Sequence, residues 1–579
     1  MSELKLHAAV QGDVTIGGTK QGFHAVAAGY DVRGPLIIGA TEINGIFSID
    51  PRIQCFDFPN GGGHLCVDFK PRLLKSPTAS LPTAYYIQPA NEINRTSYFT
   101  PVDLTSVGEG KWHGRIQPLE PKLSLYLSIQ PAADGSLNAI LGNPELNLFH
   151  GKSCNVEVCS DTVIFSDTKN PEAKFEGQFD QKTQLLAVRL PNLDKTIQFK
   201  RAKSEEAAGF FPRMPSHRNY RYEKPRSGND GWEPASLTAV GLDSKPIAEL
   251  IKKILSADPI NNPLDIHSVL IARHGKLVLE EYFYGYKGEP HTMRSASKTF
   301  APLLVGIARD ENAPLMQPES PVYAQFGGYD RFANPDSRKE KITVRDLMTM
   351  TSGLSCDDSD PNSPGNEDVM QQQEEQSDWY KYTLDLPMAR DPGGDEAVYC
   401  SAGINLLGDI VASRALGGQG LPQFFDEKVA KPLQIKTYHW NLMPNGEGYA
   451  GGGLYLRPRD QLKLGQLYLN GGVWNGKRVI SKEWVERSTS RQSTFGKTLG
   501  FDHDYGYGWH LYHFEVGGRS YRAYAAGGNG GQIVMVIPDL DLVVGFTGGA
   551  YGEFPKWYKW QTELVPRFII PAATSSARH

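Results

Sequence analysis

Three serine and lysine pairs separated by two residues, Ser2/Lys5, Ser166/Lys169 and Ser295/Lys298, carry the side chains of this sequence best suited to nucleophilic chemistry. On one turn of helix that spacing sets both side chains on the same face, where an amine can take the proton of a hydroxyl and leave an attacking oxygen. Roughly one or two such pairs arise by chance in a chain of this length, so the spacing alone decides nothing. Context separates them. Ser2 sits in the terminal segment, and Ser166-Asp-Thr-Lys169 runs into Asn-Pro, which reads as a loop. Only Ser295-Ala-Ser-Lys298 leads directly into an apolar helix, Thr299 to Ala308. At that helix head the dipole favours the negative charge of an attacked carbonyl, and a lysine desolvated between helices loses affinity for its proton. The structural alternative is a capping serine with a lysine extended along the surface. No G-x-S-x-G elbow occurs, which removes the α/β-hydrolase arrangement.

Four ordered blocks decide between these readings. Met293-Arg-Ser-Ala-Ser-Lys-Thr-Phe300, Thr343-Val-Arg-Asp-Leu-Met-Thr-Met-Thr-Ser-Gly-Leu354, Tyr399-Cys-Ser-Ala-Gly-Ile-Asn-Leu-Leu-Gly408 and Gly451-Gly-Gly-Leu-Tyr-Leu-Arg-Pro-Arg-Asp460 resemble the serine β-lactamase and penicillin-binding-protein superfamily. The resemblance covers residues 237 to 565 and is to the class C-like branch of lactamases, esterases and 6-aminohexanoate-oligomer hydrolases. It implies that Ser295 is the nucleophile, Lys298 the activating amine and Tyr399 the phenol that carries the proton to the leaving group. A phenol is a poor base until a neighbouring ammonium favours its phenolate, and Lys298 would supply that charge. A second tyrosine, Tyr468-Leu-Asn470, also has the family's literal Y-x-N form, but it lies after the glycine run at 451 to 453 and ranks below Tyr399.

The third motif of the family, a strand bearing Lys-Thr-Gly or a variant, has its counterpart in Ala526-Gly-Gly-Asn-Gly-Gly-Gln532, with the amides of Ser295 and Asn529 as the implied oxyanion donors. Gly528, Gly530 and Ser401 are the pocket positions implied with them. Two departures bear on substrate. Ser401 stands where lactamases of this branch have Asn, and no Lys or His occupies 526 to 528, which takes away the usual partner of a β-lactam carboxylate. Both departures favour a carboxylic ester or small amide. A β-lactamase or D-amino-acid peptidase is the alternative within the fold, and a non-catalytic penicillin-recognising or scaffold protein the alternative outside catalysis. Between the blocks, 355 to 378 holds eight acidic residues and no basic one, and its position favours an active-site lid. Trp379 and Tyr382 beyond it are pocket-wall candidates. His510-Leu-Tyr-His513 looks like a metal pair, but it reads as strand, where a spacing of three puts the side chains on opposite faces. No metal and no cofactor are expected.

The elements that must position these residues divide the chain. Residues 1–202 show short strands and turn signals without a helical period, an all-β half closing as a lipocalin-like barrel or a sandwich, with a second β unit from about 110. Residues 203–236 carry four prolines and no apolar period, a linker lying along a neighbouring domain. Residues 237–579 read as an α+β serine β-lactamase-like domain with a central antiparallel sheet. Its hairpin turns at His274-Gly275, its helices are 301 to 308 and 403 to 414, and its late strands are 532 to 537 and 542 to 546.

With 60 basic and 65 acidic residues, the net charge of −5 provides no field for nucleic acid or anionic lipid. The opening thirteen residues are broken by charge and no stretch nears about 18 apolar residues, so neither a signal peptide nor a membrane span is expected. Six cysteines without a C-x-x-C imply reduced thiols and a cytoplasmic location. The expected partner is a small ester or amide, with a homo-oligomer left open.

Overall fold

The computed structural model describes residues 10–574 except 20–21, 33–39, 44, 48–52, 59–61, 69–82, 91–95, 109–110, 121, 133, 148–152, 169, 191–194, 204–205, 214–218, 259–262, 314, 373–376, 415–419 and 499–500. The C-terminal part is organised by a nine-stranded sheet, antiparallel except for the short pairing of Glu233–Pro234 beside Lys276–Tyr282. Its middle strands are Ile266–Arg273, Leu542–Gly548, Gln532–Ile537 and Arg519–Gly528, in that order. The first three are buried on both faces along nearly their whole length, and the two-residue period sorts their residues into two cores. Leu270, Ala272, Val534, Val536 and Val543 pack with the helices Phe300–Asp310 and Pro458–Leu469. Val269, Ile271, Ile533, Met535 and Val544 pack with the helix Ser244–Ser256 and the C-terminal helical segment from Phe554. The hairpin between Ile266–Arg273 and Lys276–Tyr282 turns through His274 and Gly275, both at positive φ.

The N-terminal half is mostly sheet. Tyr126–Pro131 to Lys195–Lys200 form a seven-stranded sheet in strict up-and-down order, whose first and last strands are not paired with each other. Phe210 lies in the gap, stacked on Tyr126 at 4.8 Å between ring centroids. This unit begins at Tyr126, because Lys111–Ile116 pairs instead with Val10–Thr19 in a five-stranded sheet. Ser166 of the second serine and lysine pair lies in the strand Thr162–Asp167, while Ser2, Lys5 and Lys169 lie outside the described residues.

An eight-stranded sheet crosses between the halves. Tyr98–Val102 pairs with Tyr438–Asn441, and Thr100 Oγ1 lies 2.8 Å from His439 Nδ1 with both residues buried. Phe99 packs into the same core as the helix Phe300–Asp310. The segment after the half-barrel is also seated on the C-terminal part: Tyr222 donates its hydroxyl to Val278 O at 2.9 Å, and buried Trp232 donates Nε1–H to Arg459 O at 2.9 Å.

The expectation of reduced thiols holds at Cys154 and Cys159 and is overturned at the other four cysteines. Cys55 and Cys66, directly opposite each other on paired strands, form a disulfide, and so do Cys356 and Cys400. Cross-links of this kind persist in oxidising surroundings, which removes the ground for the cytoplasmic reading. No helix among the described residues is long and apolar enough to cross a membrane.

Candidate active site

Ser295 does not cap a helix. It lies inside a 3-10 turn, Arg294–Thr299, that feeds the α-helix Phe300–Asp310. In a 3-10 turn side chains three apart eclipse each other, which brings Lys298 over Ser295 more closely than an α-helical turn does. Lys298 Nζ donates to Ser295 Oγ at 2.8 Å and to Gly451 O at 2.6 Å. The turn is clamped from both sides: Leu454 N–H donates to Ser297 Oγ at 3.2 Å and Thr299 Oγ1–H to Gly508 O at 2.7 Å. Just before the serine, Arg294 is held at φ 47°, a conformation costly for a side-chain-bearing residue. Its guanidinium stacks over the Tyr551 ring at 4.9 Å.

Tyr399 comes to the same point from the residue pair preceding the helix Ser401–Arg414. Its carbonyl accepts from Asp358 N–H at 2.9 Å, and its neighbour Cys400 is tied to Cys356. Lys298 Nζ stands 5.0 Å from the centre of the phenol ring. Burial raises the Tyr399 pKa well above the usual phenol value, against a hydrogen bond with Ser295 that favours the phenolate. Burial lowers the pKa of Lys298, against the attraction of Glu367 and Asp358. The amine is thus the group of this trio whose neutral form is brought nearer to working pH. Tyr468, by contrast, is buried in the core with its ring 4.7 Å from that of Trp509.

The strand Arg519–Gly528 ends against the serine turn. A Cβ at Gly528 would lie 2.3 Å from Met293 O and 2.9 Å from Ala296 N, so only glycine permits this approach. Ser295, Tyr399, Gly528 and Asn529 all face one cleft of about 640 Å³. Four other expected pocket residues do not. Ser401 is fully buried and donates its hydroxyl to Asp358 at 2.6 Å, with Glu367 at 3.2 Å. Being short, its side chain ends on this half-buried pair of acids, of which Asp358 and not Ser401 reaches the cleft. Trp379 packs edge-on against Tyr449 at 5.5 Å, the Tyr382 hydroxyl donates to Pro364 O at 2.6 Å, and Gly530 lies beneath the Tyr551 ring.

The acidic segment is partly cleft wall, through Asp357, Asp358 and Ser359, and its residues 373–376 lie outside the described ones. Asp358 and Glu367 were legible only as charge, yet they are the carboxylates that act on Lys298. The far wall is aromatic, with Phe495, Phe554, Trp557 and Tyr558, and it includes His503 and His510. The signal for His510 is the alternation of its strand: Tyr512 shares its face and also lines the cleft, whereas His513 is exposed.

Residues 267–549 match the family model described as Beta-lactamase. A 6-aminohexanoate-dimer hydrolase of Paenarthrobacter ureafaciens is 26% identical over 224 residues, which are 38% of this chain and 55% of that protein. The chain therefore spans about half the length of this curated relative. Among solved structures, an octameric penicillin-binding protein homologue from Pyrococcus abyssi is similar at 18% identity and a TM-score of 0.42, over 57% of this chain and 76% of that one. A penicillin-binding protein homologue from Caulobacter crescentus is similar at 14% identity and a TM-score of 0.43, over 57% of this chain and 97% of that one.

Proposed function

Since residues 267–549 belong to the serine β-lactamase and penicillin-binding-protein superfamily, we propose that the protein is a serine hydrolase that forms an acyl-enzyme on Ser295 and cleaves a carboxylic ester or small amide. The observation that carries this reading is the contact of the Lys298 amine with Ser295 Oγ at 2.8 Å beneath a cleft that Tyr399 also faces. Neutral Lys298 takes the hydroxyl proton as Oγ attacks the substrate carbonyl, and the amides of Ser295 and Asn529 receive the developing oxyanion. Tyr399 then gives its phenolic proton to the leaving oxygen or nitrogen as that bond breaks, and recovers a proton from the Lys298 ammonium. Water attacks the acyl-enzyme by the reverse path, releasing the carboxylic acid and restoring Ser295.

The cleft wall supports neutral substrates. Among the described residues that line it there is no Arg or Lys, and Asp357 and Asp358 are present. Arg522, the arginine nearest in sequence to the third motif, is exposed and does not line it. A carboxylate entering here meets like charge and no clamp, a deficit of about 1.5–3 kcal/mol relative to a charge-assisted hydrogen bond. We read the N-terminal half-barrel as a lipocalin-like unit, a reading supported by its up-and-down strand order. Turnover of p-nitrophenyl butyrate against a chromogenic cephalosporin tests the reading: kcat/KM should favour the ester. Equal or better cephalosporin hydrolysis would return the assignment to β-lactamase.

A further inference from the structure

The cleft wall beside Tyr399 carries a chain of three polar side chains that this acyl transfer does not use. Thr498 Oγ1 lies 2.7 Å from His503 Nδ1, and His503 Nε2 lies 2.6 Å from His510 Nδ1. All three residues line the same cleft as Ser295. Aromatic rings hold the imidazoles in place. His510 lies 14° from parallel to Tyr399 at 6.5 Å between centroids and stands edge-on to Tyr505 at 5.0 Å, while His503 packs against Phe495 at 5.0 Å.

The Nδ1 atom of His510 is engaged by His503, and among the described residues no hydrogen bond engages its Nε2. That edge faces Gly527, which also lines the cleft. A Cβ at 527 would come within 3.5 Å of His510 Cδ2 and 3.8 Å of Nε2, and would meet nothing else nearby. Glycine at this position leaves the imidazole edge open. Burial lowers both histidines, His503 to about 4 and His510 also well below the usual value, with His503 and then Lys298 adding to the effect on His510. Both rings are therefore neutral at pH 7, each with one N–H and one lone pair. Two proton arrangements satisfy the chain. If the Thr498 hydroxyl donates to His503, the run ends in a His510 Nε2–H; if His503 donates to Thr498, it ends in a lone pair. Either a donor or an acceptor can be matched, and a full charge cannot.

Resting on the Ser295 reading, we propose that His510 is the specificity-determining residue of the leaving-group side of this cleft, where its Nε2 hydrogen-bonds an uncharged polar group, a hydroxyl or an amide, on the departing alcohol or amine. The side follows from its neighbour: Tyr399, the proposed proton donor to the leaving atom, faces the same cleft with its ring centre 6.5 Å from that of His510. Thr498 and His503 act through His510 and are positioning residues.

The test uses the full chain and three butyrate esters that share one acyl-enzyme and differ only in the alcohol: propyl, 2-hydroxyethyl and carboxymethyl. In the unaltered protein kcat/KM should be highest for 2-hydroxyethyl butyrate and lowest for the carboxymethyl ester. In His510→Phe the ratio of 2-hydroxyethyl to propyl ester should fall about tenfold, the value of one hydrogen bond, and His510→Gln should restore part of it. Thr498→Val, which leaves the cleft-facing ring in place, should lower the same ratio by a smaller factor. A ratio left unchanged in His510→Phe would overturn the inference, as would a carboxymethyl ester that is the best substrate. Fluorophosphonate labelling followed by peptide mapping keeps the two readings apart, because that adduct does not turn over. With Ser295 labelled and the ratio unmoved, the His510 inference alone fails; with the label absent or on another residue, the Ser295 reading fails and takes the inference with it.

Discussion

The strand Gln532–Ile537 is buried at all six positions, whereas Lys195–Lys200 in the half-barrel alternates between half-buried and exposed at every step. The first is covered on both faces by helices, so each residue packs into one of two cores. The second has a single small core on one face and water on the other. Chemistry follows the same division. Both sheets contain a serine from a serine and lysine pair, or lie beside one, but Ser295 sits in a clamped turn under a buried lysine while Ser166 lies on a half-buried strand. A nucleophile needs surroundings that hold its partner dry and in place, and only the doubly covered sheet provides them.

Replacement of both serines by alanine should separate the regions most sharply. Ser295→Ala should lower kcat/KM on the order of 10⁴-fold or more and abolish fluorophosphonate labelling, while Ser166→Ala changes neither. Retained labelling in Ser295→Ala would place the nucleophile elsewhere. Lys298→Ala and Tyr399→Phe should each cost several orders of magnitude in kcat, and the double variant little more than the worse single one, since groups sharing a proton path are not additive.

The two disulfides extend the comparison to stability. Cys356–Cys400 closes a separation of 44 residues around Tyr399, and Cys55–Cys66 closes only 11 within one hairpin of the N-terminal half. From loop entropy alone, replacing both cysteines by serine should cost about 4 kcal/mol at the first and about 3 kcal/mol at the second. Urea unfolding of the two double variants measures this order. A larger loss at Cys55–Cys66 would show that loop length does not set the order of the two cross-links.

Charge at the site should matter less than covalent ties, and in a definite direction. Asp358 and Glu367 oppose the effect of burial on Lys298. Asp358→Asn keeps an acceptor for Ser401 but removes one of those charges, so the Lys298 pKa should fall further. On the proposed mechanism, in which neutral Lys298 takes the serine proton, the acid limb of kcat/KM should move to lower pH. An acid limb that stays fixed, or moves up, would mean that another group controls it.

What was legible in the sequence was local. The apolar run after Ser295, the His274-Gly275 turn and the alternation around Tyr512 each depend on neighbours within a few residues, and the observed elements follow them. What was hidden is long-range. Nothing near Cys356 announces Cys400, and nothing near Tyr98 announces its pairing with Asn441, because strand pairing depends on surfaces that only the folded chain brings together. Side-chain direction was equally unreadable. Ser401 two residues beyond Tyr399, and Trp379 beyond the acidic run, look from the sequence like cleft residues, and each turns inward to a partner distant in sequence, Asp358 and Tyr449. His510 was visible as half of a metal pair, a reading that strand alternation removes without indicating what the inward histidine faces.

The smallest expected effect lies at the seam between the regions. Thr100 and His439 are each buried to within 2% exposure, and their hydrogen bond links a strand of the N-terminal half to one of the C-terminal half. Burial lowers the His439 pKa to about 3, so the ring is neutral, and its Nδ1 depends on the threonine hydroxyl for a partner. Thr100→Val keeps the shape and removes that partner, leaving a buried nitrogen unsatisfied at a cost of about 1–3 kcal/mol. If the shared sheet makes the halves unfold together, the urea transition should remain single, with a lower midpoint and an unchanged slope. Two separate transitions, with the loss confined to the first, would show that the halves are independent and that the seam is contact without cooperation.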